Sequence, residues 1–329
     1  MTNTLALNWA TISSGAESKT YGRMPPRTMY ARGLTLFRLS VFVFTVAITA
    51  RVHGQSSPCT AHSETPDRAL LGRAIDNQKK NDAALDVYER IERVEIRRSL
   101  RDAQPPQVKV SRVIPSGTGM DHIPLGPDGK PSDAAAYRAE LEKLERALAL
   151  IVDGARSQHE GLEKYARRRK ERNDMIEAAR SAFLFTFIAC EPRDARILLK
   201  YRMDPNPAFK PTTRSTSFYT RIRGTLWIDE ANGQLARIEG EVIDDISLGI
   251  FLARVYKGSH FMQDRYEMAP GLWLPTFSEY DFDGRRFFMN FSLHERTFYS
   301  NYRFIGPPRE ALRAIRAELG TIPRPVAGP

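Results

Sequence analysis

The stretch Gly224-Thr-Leu-Trp-Ile-Asp-Glu-Ala-Asn-Gly-Gln-Leu-Ala-Arg-Ile-Glu-Gly240 constrains the fold more than any other part of the chain. Two apolar, β-rich runs flank Asp229-Glu-Ala-Asn-Gly233. Asn-Gly supplies the positive-φ residues that a tight turn needs, so the pattern predicts an antiparallel hairpin. The same turn grammar recurs at Ala269-Pro-Gly271 and at Asp283-Gly284. From Arg221 to Phe304 the expectation is a strongly curved antiparallel sheet.

Further strands are expected over Phe183–Ala189, Arg196–Met203, Gly249–Gly258, Ser259–Tyr266 and Leu272–Phe277, and on either side of Asp283-Gly284 to Phe304. Short strands separated by regular turn signals match an up-and-down sheet or an open barrel. Pro308 opens a short amphipathic helix carrying Leu312, Ile315 and Leu319.

The preceding part reads as mainly helical. Thr65 and Pro66 look like a helix start. Leu70, Leu71, Ala74, Ile75, Tyr88, Ile91 and Val94 recur at three-to-four spacing, which predicts one amphipathic helix to about Ser99. Gln107–Ile114 alternates as a strand, with a second strand at Gly119–Leu125. Ser132-Asp133 should cap a second helix that ends near Asp153-Gly154, and a charged third helix should run from Gln158 to Ala182. Together these give an α+β chain whose strongly curved, half-open antiparallel β-barrel carries helices on its concave side and follows a long helical N-terminal part. The expected divisions are 1–54, 64–182, 183–306 and 307–329.

Residues 29–54 have the grammar of a secretory signal peptide. A basic segment ends at Arg38, Leu39–Ala50 is apolar, and small residues follow, with cleavage expected near Gly54. The apolar run falls short of the roughly 20 residues that span a bilayer, although an uncleaved N-terminal anchor facing the periplasm is the rival reading. Met29 then reads as the natural initiator, with residues 1–28 an over-extended start. Export would permit a Cys59–Cys190 disulfide; two unpaired thiols are the alternative.

The formal net charge of +10 owes much to clusters such as Arg167-Arg-Arg-Lys170. No aromatics interleave with that cluster, so it argues against nucleic acid. Mixed charges at this density mark a solvated helix face, or a surface for an envelope protein or anionic lipid. The chain has no Gly-x-Ser-x-Gly elbow, no Gly-x-Gly-x-x-Gly and no P-loop. It has no Cys-x-x-Cys and no His-x-x-x-His spacing, so neither a metal nor a cofactor is expected. Asp244-Asp245 and the period-two set Glu279, Asp281 and Asp283 are the carboxylate groupings, and solvated acids beside a turn are their ordinary reading. Trp227 and Trp273 are either buried sheet tryptophans or the lining of a carbohydrate or lipid pocket.

Gly224–Asp229 with Asn232–Ile238, followed by Gly271-Leu-Trp-Leu-Pro275 and Asp283–Phe287, resembles the outer-membrane lipoprotein-sorting group, the superfamily of periplasmic lipoprotein carriers. Within it the chain is most similar to uncharacterised secreted bacterial members. The resemblance covers roughly 185–305 well and 66–150 loosely, and Trp227, Asp229, Gly233, Trp273 and Pro275 are its structural signature. It implies a curved sheet whose apolar concave face, plugged by helices, holds acyl chains, with a hydrophobic ligand or a lipoprotein acyl chain as partner. The helical half is longer and more charged than a typical carrier's, and no residue matches the carrier's gating positions.

Leu226, Ile228, Ile238 and Val242 are expected on that inner face, with Phe251, Val255, Phe277 and Phe291. Either they wall a ligand cavity or the helices fill the space. The expected function is a secreted, periplasmic, non-enzymatic protein that binds a hydrophobic ligand. The alternative is a cell-envelope structural or interaction module working through its basic helices.

Overall fold

The computed structural model describes residues 67–97, 104–248, 253–286 and 289–323. Helix α1 spans Arg68–Ala84, and its N-cap is Asp67, whose carboxylate accepts from the Ala69 N–H at 2.8 Å. The expected cap, Thr65, lies outside the described residues.

The helix predicted to reach Ser99 stops at Ala84, and Tyr88–Arg97 forms strand β1. Tyr88, Ile91 and Val94 mimic a helical stripe, but the charged residues between them decide the structure. Glu89, Arg90 and Glu92 are buried. Glu89 accepts from Arg112 at 2.7 Å and from Arg303. Those partners lie 23 and 214 residues away, beyond the reach of local periodicity.

The remaining strands are β2 (Gln107–Pro115), β3 (Met120–Leu125), β4 (Phe183–Arg193), β5 (Arg196–Pro205), β6 (Ile222–Asp229), β7 (Leu235–Val242), β8 (Ile246–Leu248), β9 (Ala253–Val255), β10 (His260–Ala269), β11 (Leu272–Arg286) and β12 (Met289–Phe304). They form one sheet in the order β3-β2-β1-β12-β11-β10-β7-β6-β5-β4, with β9 paired to β11 and β8 paired to β9. Every pairing is antiparallel. The path begins at β3 and ends at β4, so the sheet is open rather than a closed barrel. The fold class is therefore the α+β open, curved sheet expected. The lead-in is less helical than expected, because β1 pairs with β12 and carries β2 and β3 into the same sheet.

Glycines shape the curvature. Gly224 and Gly240 face each other across β6 and β7. A Cβ at Gly224 would sit 2.0 Å from the Glu239 carbonyl oxygen, and one at Gly240 would sit 2.3 Å from the Phe261 ring. Glycine inside a strand marks such a close approach. Asp283-Gly284 is not the turn that was expected. Both residues lie within β11, where a Cβ on Gly284 would meet the Arg254 carbonyl oxygen of β9 at 2.2 Å. The glycine admits the close approach of β9, which pairs antiparallel with this end of β11, and the chain reverses beyond Arg286. Asn232-Gly233 does turn: Gly233 has φ 62°, and Asp229 Oδ1 accepts from the Asn232 N–H at 2.8 Å.

Helix α2 (Ala134–Val152) is capped by Asp133, as expected. With α4 (Pro308–Thr321) it packs on β2 and β3 through Ile114, Ile123, Leu141, Leu148, Leu312 and Ile315. Helix α3 (His159–Ala182) joins α1 on the other part of the sheet. Leu70, Ala74 and Ala182 there meet Phe183, Leu199, Tyr201, Leu226 and Ile228. Burial of each such aliphatic side chain contributes about 1.5–3 kcal/mol. Cys190 on β4 is disulfide-bonded, and its expected partner, Cys59, lies outside the described residues, as do Phe251 and the segment read as a signal peptide. No helix of the described residues is long and apolar enough to cross a membrane.

Candidate functional site: an apolar cavity under two helices

Successive strand residues point to opposite faces of a sheet. On β6 this sends Leu226 and Ile228 toward α1 and α3, and Trp227 and Asp229 the other way. The inner residues do not fill the space beneath the helices. A cavity of about 170 Å³ remains. Its floor includes Phe183, Phe185, Met203, Leu226, Ile228 and Ile238, and its roof is Leu71, Ala74 and Ile75 of α1 with Met175, Ile176 and Ala179 of α3. Tyr219 and Phe261 close the sides. Burial pushes the Tyr219 hydroxyl well above the ordinary tyrosine range, and it donates to the Met175 carbonyl at 3.0 Å.

Four polar residues also reach the cavity: Gln78, Arg172, Gln263 and Arg265. Arg172 is accounted for. Its Nε donates to Asp82 at 3.0 Å, tying α3 to α1. Burial raises the Asp86 carboxyl nearby, opposed by the hydrogen bond from Tyr165 and by the charges of Arg169 and Arg172.

The roof is latched to the hairpin turns. Asn77 Nδ2 donates to the carbonyls of Asn232 and Gly233, each at 3.0 Å. Asn81 Nδ2 donates to Gln234 at 2.9 Å, and its Oδ1 accepts from the Trp273 N–H at 3.2 Å. The Asn-Gly turn that predicts the hairpin also docks α1.

Of the residues expected on the ligand face, Leu226, Ile228 and Ile238 lie on the cavity wall. Val242 and Val255 are elsewhere, in a packed cluster with Phe218, Phe261, Tyr280 and Phe282, and Phe291 lies against that cluster. Phe277 is on the opposite face, its ring 5.0 Å from that of Phe298. A bulge between Asp264 and Arg265 shifts the register of β11 beside it, which simple alternation did not foresee. Sequence reasoning missed the helix residues of the roof and the polar pair Gln263 and Arg265. The period-two run Phe261, Gln263, Arg265 was the available signal.

The tryptophans stand away from the cavity, packed together with Leu198 and Ala236. Lys200 and Arg237 lie 4.9 and 5.2 Å from the Trp227 ring, and its indole N–H donates to Glu191 at 2.7 Å. Arg196 lies 5.1 Å from the Trp273 ring. Pro275 offers its carbonyl to the Tyr302 hydroxyl at 2.8 Å. The carboxylates are also engaged. Asp281 contacts His260 and His294, each at 2.9 Å, and Glu279 accepts from Arg296 at 2.8 Å. Asp245 accepts from the Lys257 N–H at 2.9 Å.

No protein-family model and no curated protein matches the chain. Solved structures do align with it. A LolA superfamily protein from Nitrosomonas europaea aligns at 10% identity over 74% of this chain and 96% of its own, with a TM-score of 0.29. A domain described as an outer membrane lipoprotein-sorting protein, from Vibrio parahaemolyticus, aligns at 10% identity over 71% and 93%, with a TM-score of 0.30. A DUF1329 family protein from Desulfovibrio piger aligns at 10% identity over 73% and 93%, also at 0.30.

Proposed function

We propose that the chain is an exported, non-enzymatic binding protein of the periplasm that holds a hydrophobic group, an acyl chain in the first instance, beneath α1 and α3. The observation that carries this reading is the cavity itself, a space of about 170 Å³ with an almost wholly apolar wall. Protein interiors leave few voids larger than a water molecule. An apolar cavity of roughly 150 Å³ stays dry and takes a benzene-sized guest. Developed ligand pockets run from about 300 to 1,000 Å³, so this one suits a single slender chain. The export grammar of residues 29–54 supports the compartment, and so does the disulfide at Cys190, because such bonds persist in oxidising environments.

An interaction module built on Arg167–Lys170 has less support. Arg168 donates to the Thr118 carbonyl at 2.9 Å, Arg169 pairs with Asp86 at 3.0 Å, and Lys170 pairs with Asp174 at 2.6 Å. Native mass spectrometry of protein purified from its own envelope tests the binding reading. A co-purifying apolar mass is the expected result. A bare protein that also fails to take up the neutral dye N-phenyl-1-naphthylamine refutes it.

A further inference from the structure

Arg265 is out of place in an apolar wall. It is 2% exposed, and its Nη2 donates to Gln263 Oε1 at 2.6 Å, while its Nε and Nη1 have no hydrogen-bond partner. Gln263 is neutral and is itself committed, donating to the Ser278 hydroxyl at 3.0 Å. The carboxylate whose charge reaches Arg265 is Asp82, which bonds Arg172 instead. A buried guanidinium is costly unless a counter-charge and hydrogen bonds satisfy it. Burial holds this one below the ordinary arginine range.

A second residue makes the same point. Gln78 of α1 is 8% exposed and lines the same cavity, and its side-chain oxygen is also unpartnered. Its amide carries two donors as well as an acceptor, and which end faces the cavity is a matter of a flip. Two buried polar residues that line one small apolar space therefore each carry an unpartnered side-chain atom. The arginine needs an anion, and the space needs a hydrocarbon.

We infer that Arg265 is the head-group seat of this cavity and that its occupant is a short single-chain carboxylate. The chain lies among Met175, Leu226, Ile228 and Ile238, and one carboxylate oxygen accepts from Arg265 at Nε or at Nη1, which lie on different edges of the guanidinium. Gln78 is placed to donate a further hydrogen bond. This rests on the binding function proposed above and sharpens it, because an ester-linked acyl chain carries no anionic end.

The test is calorimetric titration of the delipidated full chain with octanoate, 1-octanol and methyl octanoate, which share one chain length. Octanoate is expected to bind at least tenfold more tightly than the two neutral probes. Arg265→Met should remove that preference. Equal affinities for octanoate and the neutral probes overturn the carboxylate seat and leave the cavity reading standing. A preference that survives in Arg265→Met also overturns it. If none of the three probes binds, and N-phenyl-1-naphthylamine does not bind either, the cavity reading fails and the seat with it. Should Arg265→Met not fold, the three probes on the unaltered protein decide the matter alone.

Discussion

Ala74→Leu tests whether the space beneath α1 and α3 is real. Ala74 is 8% exposed and lines the cavity from α1. Leucine is nearly as good a helix former as alanine, so the backbone is little affected. The change adds three carbons, worth ~2.4 kcal/mol if all are buried at about 0.8 kcal/mol each. Ordering the new side chain takes back roughly 0.5–1 kcal/mol. The net gain is ~1.5 kcal/mol, which at about 2–4 °C per kcal/mol for a domain of this size raises Tm by ~3–6 °C. A filled core gives the opposite sign, because overpacking costs about 1–3 kcal/mol. The assay is thermal unfolding of delipidated protein, with exposed Ala69 on the same helix changed to Leu as the control for propensity. Ala74→Leu should also weaken octanoate binding about tenfold or more, since it occupies the same space. A fall in Tm at Ala74 with no change at Ala69 refutes the cavity.

Gly240→Ala should cost about 1–3 kcal/mol, because the new Cβ enters the Phe261 ring, and adding Phe261→Leu should recover part of that loss in a double-mutant cycle. Asp229→Ala removes a 1% exposed acceptor that serves the Asn232 N–H and Arg196, and should lower stability by about 1–3 kcal/mol in urea and speed hydrogen exchange in α1. Burial raises the Glu295 carboxyl above its ordinary range, opposed by the Thr297 hydroxyl and reinforced by Glu92. A raised folded pKa means a contribution that is present below the unfolded pKa and lost as pH rises through the folded pKa. Glu295→Gln should therefore gain stability over the unaltered protein as pH goes from about 4 to 7, and urea titrations showing a gain no larger at pH 7 contradict this.

Much of the sheet was legible because its turns carry their own chemistry. Asn232-Gly233 and Gly271 turn where their residues demand it, and Asp133 caps the helix it precedes. What failed was non-local. Tyr88–Arg97 looked helical because its stabilising partners, Arg112 and Arg303, belong to other strands. Asp283-Gly284 looked like a turn because a glycine that makes room for a neighbouring strand reads the same as one that reverses the chain. Leu226, Ile228 and Ile238 could be placed by alternation from the hairpin. Phe277 could not, since a bulge in the pairing of β10 with β11 intervenes. Arg265 was passed over for a similar reason: its meaning depends on what surrounds it, and only the fold brings α1 above it.

The same glycine pair that bends the sheet accounts for the position of the cavity. Gly224 and Gly240 face each other and bring β6 and β7 into a closer curve than side chains would allow. Phe261 fills the hollow over Gly240 and seals it toward Val242, Val255 and Phe282, where packing is complete. Toward α1 and α3 the large side chains Phe183, Phe185 and Tyr219 stand around the space without filling it. The roof there is Leu71, Ala74 and Ile75 with Met175, Ile176 and Ala179, two of the six being alanines, and space remains. The small residues of the helices and the two glycines of the hairpin are therefore parts of one geometric device. Enlarging either side should close the cavity, by filling it from above or by flattening it from below.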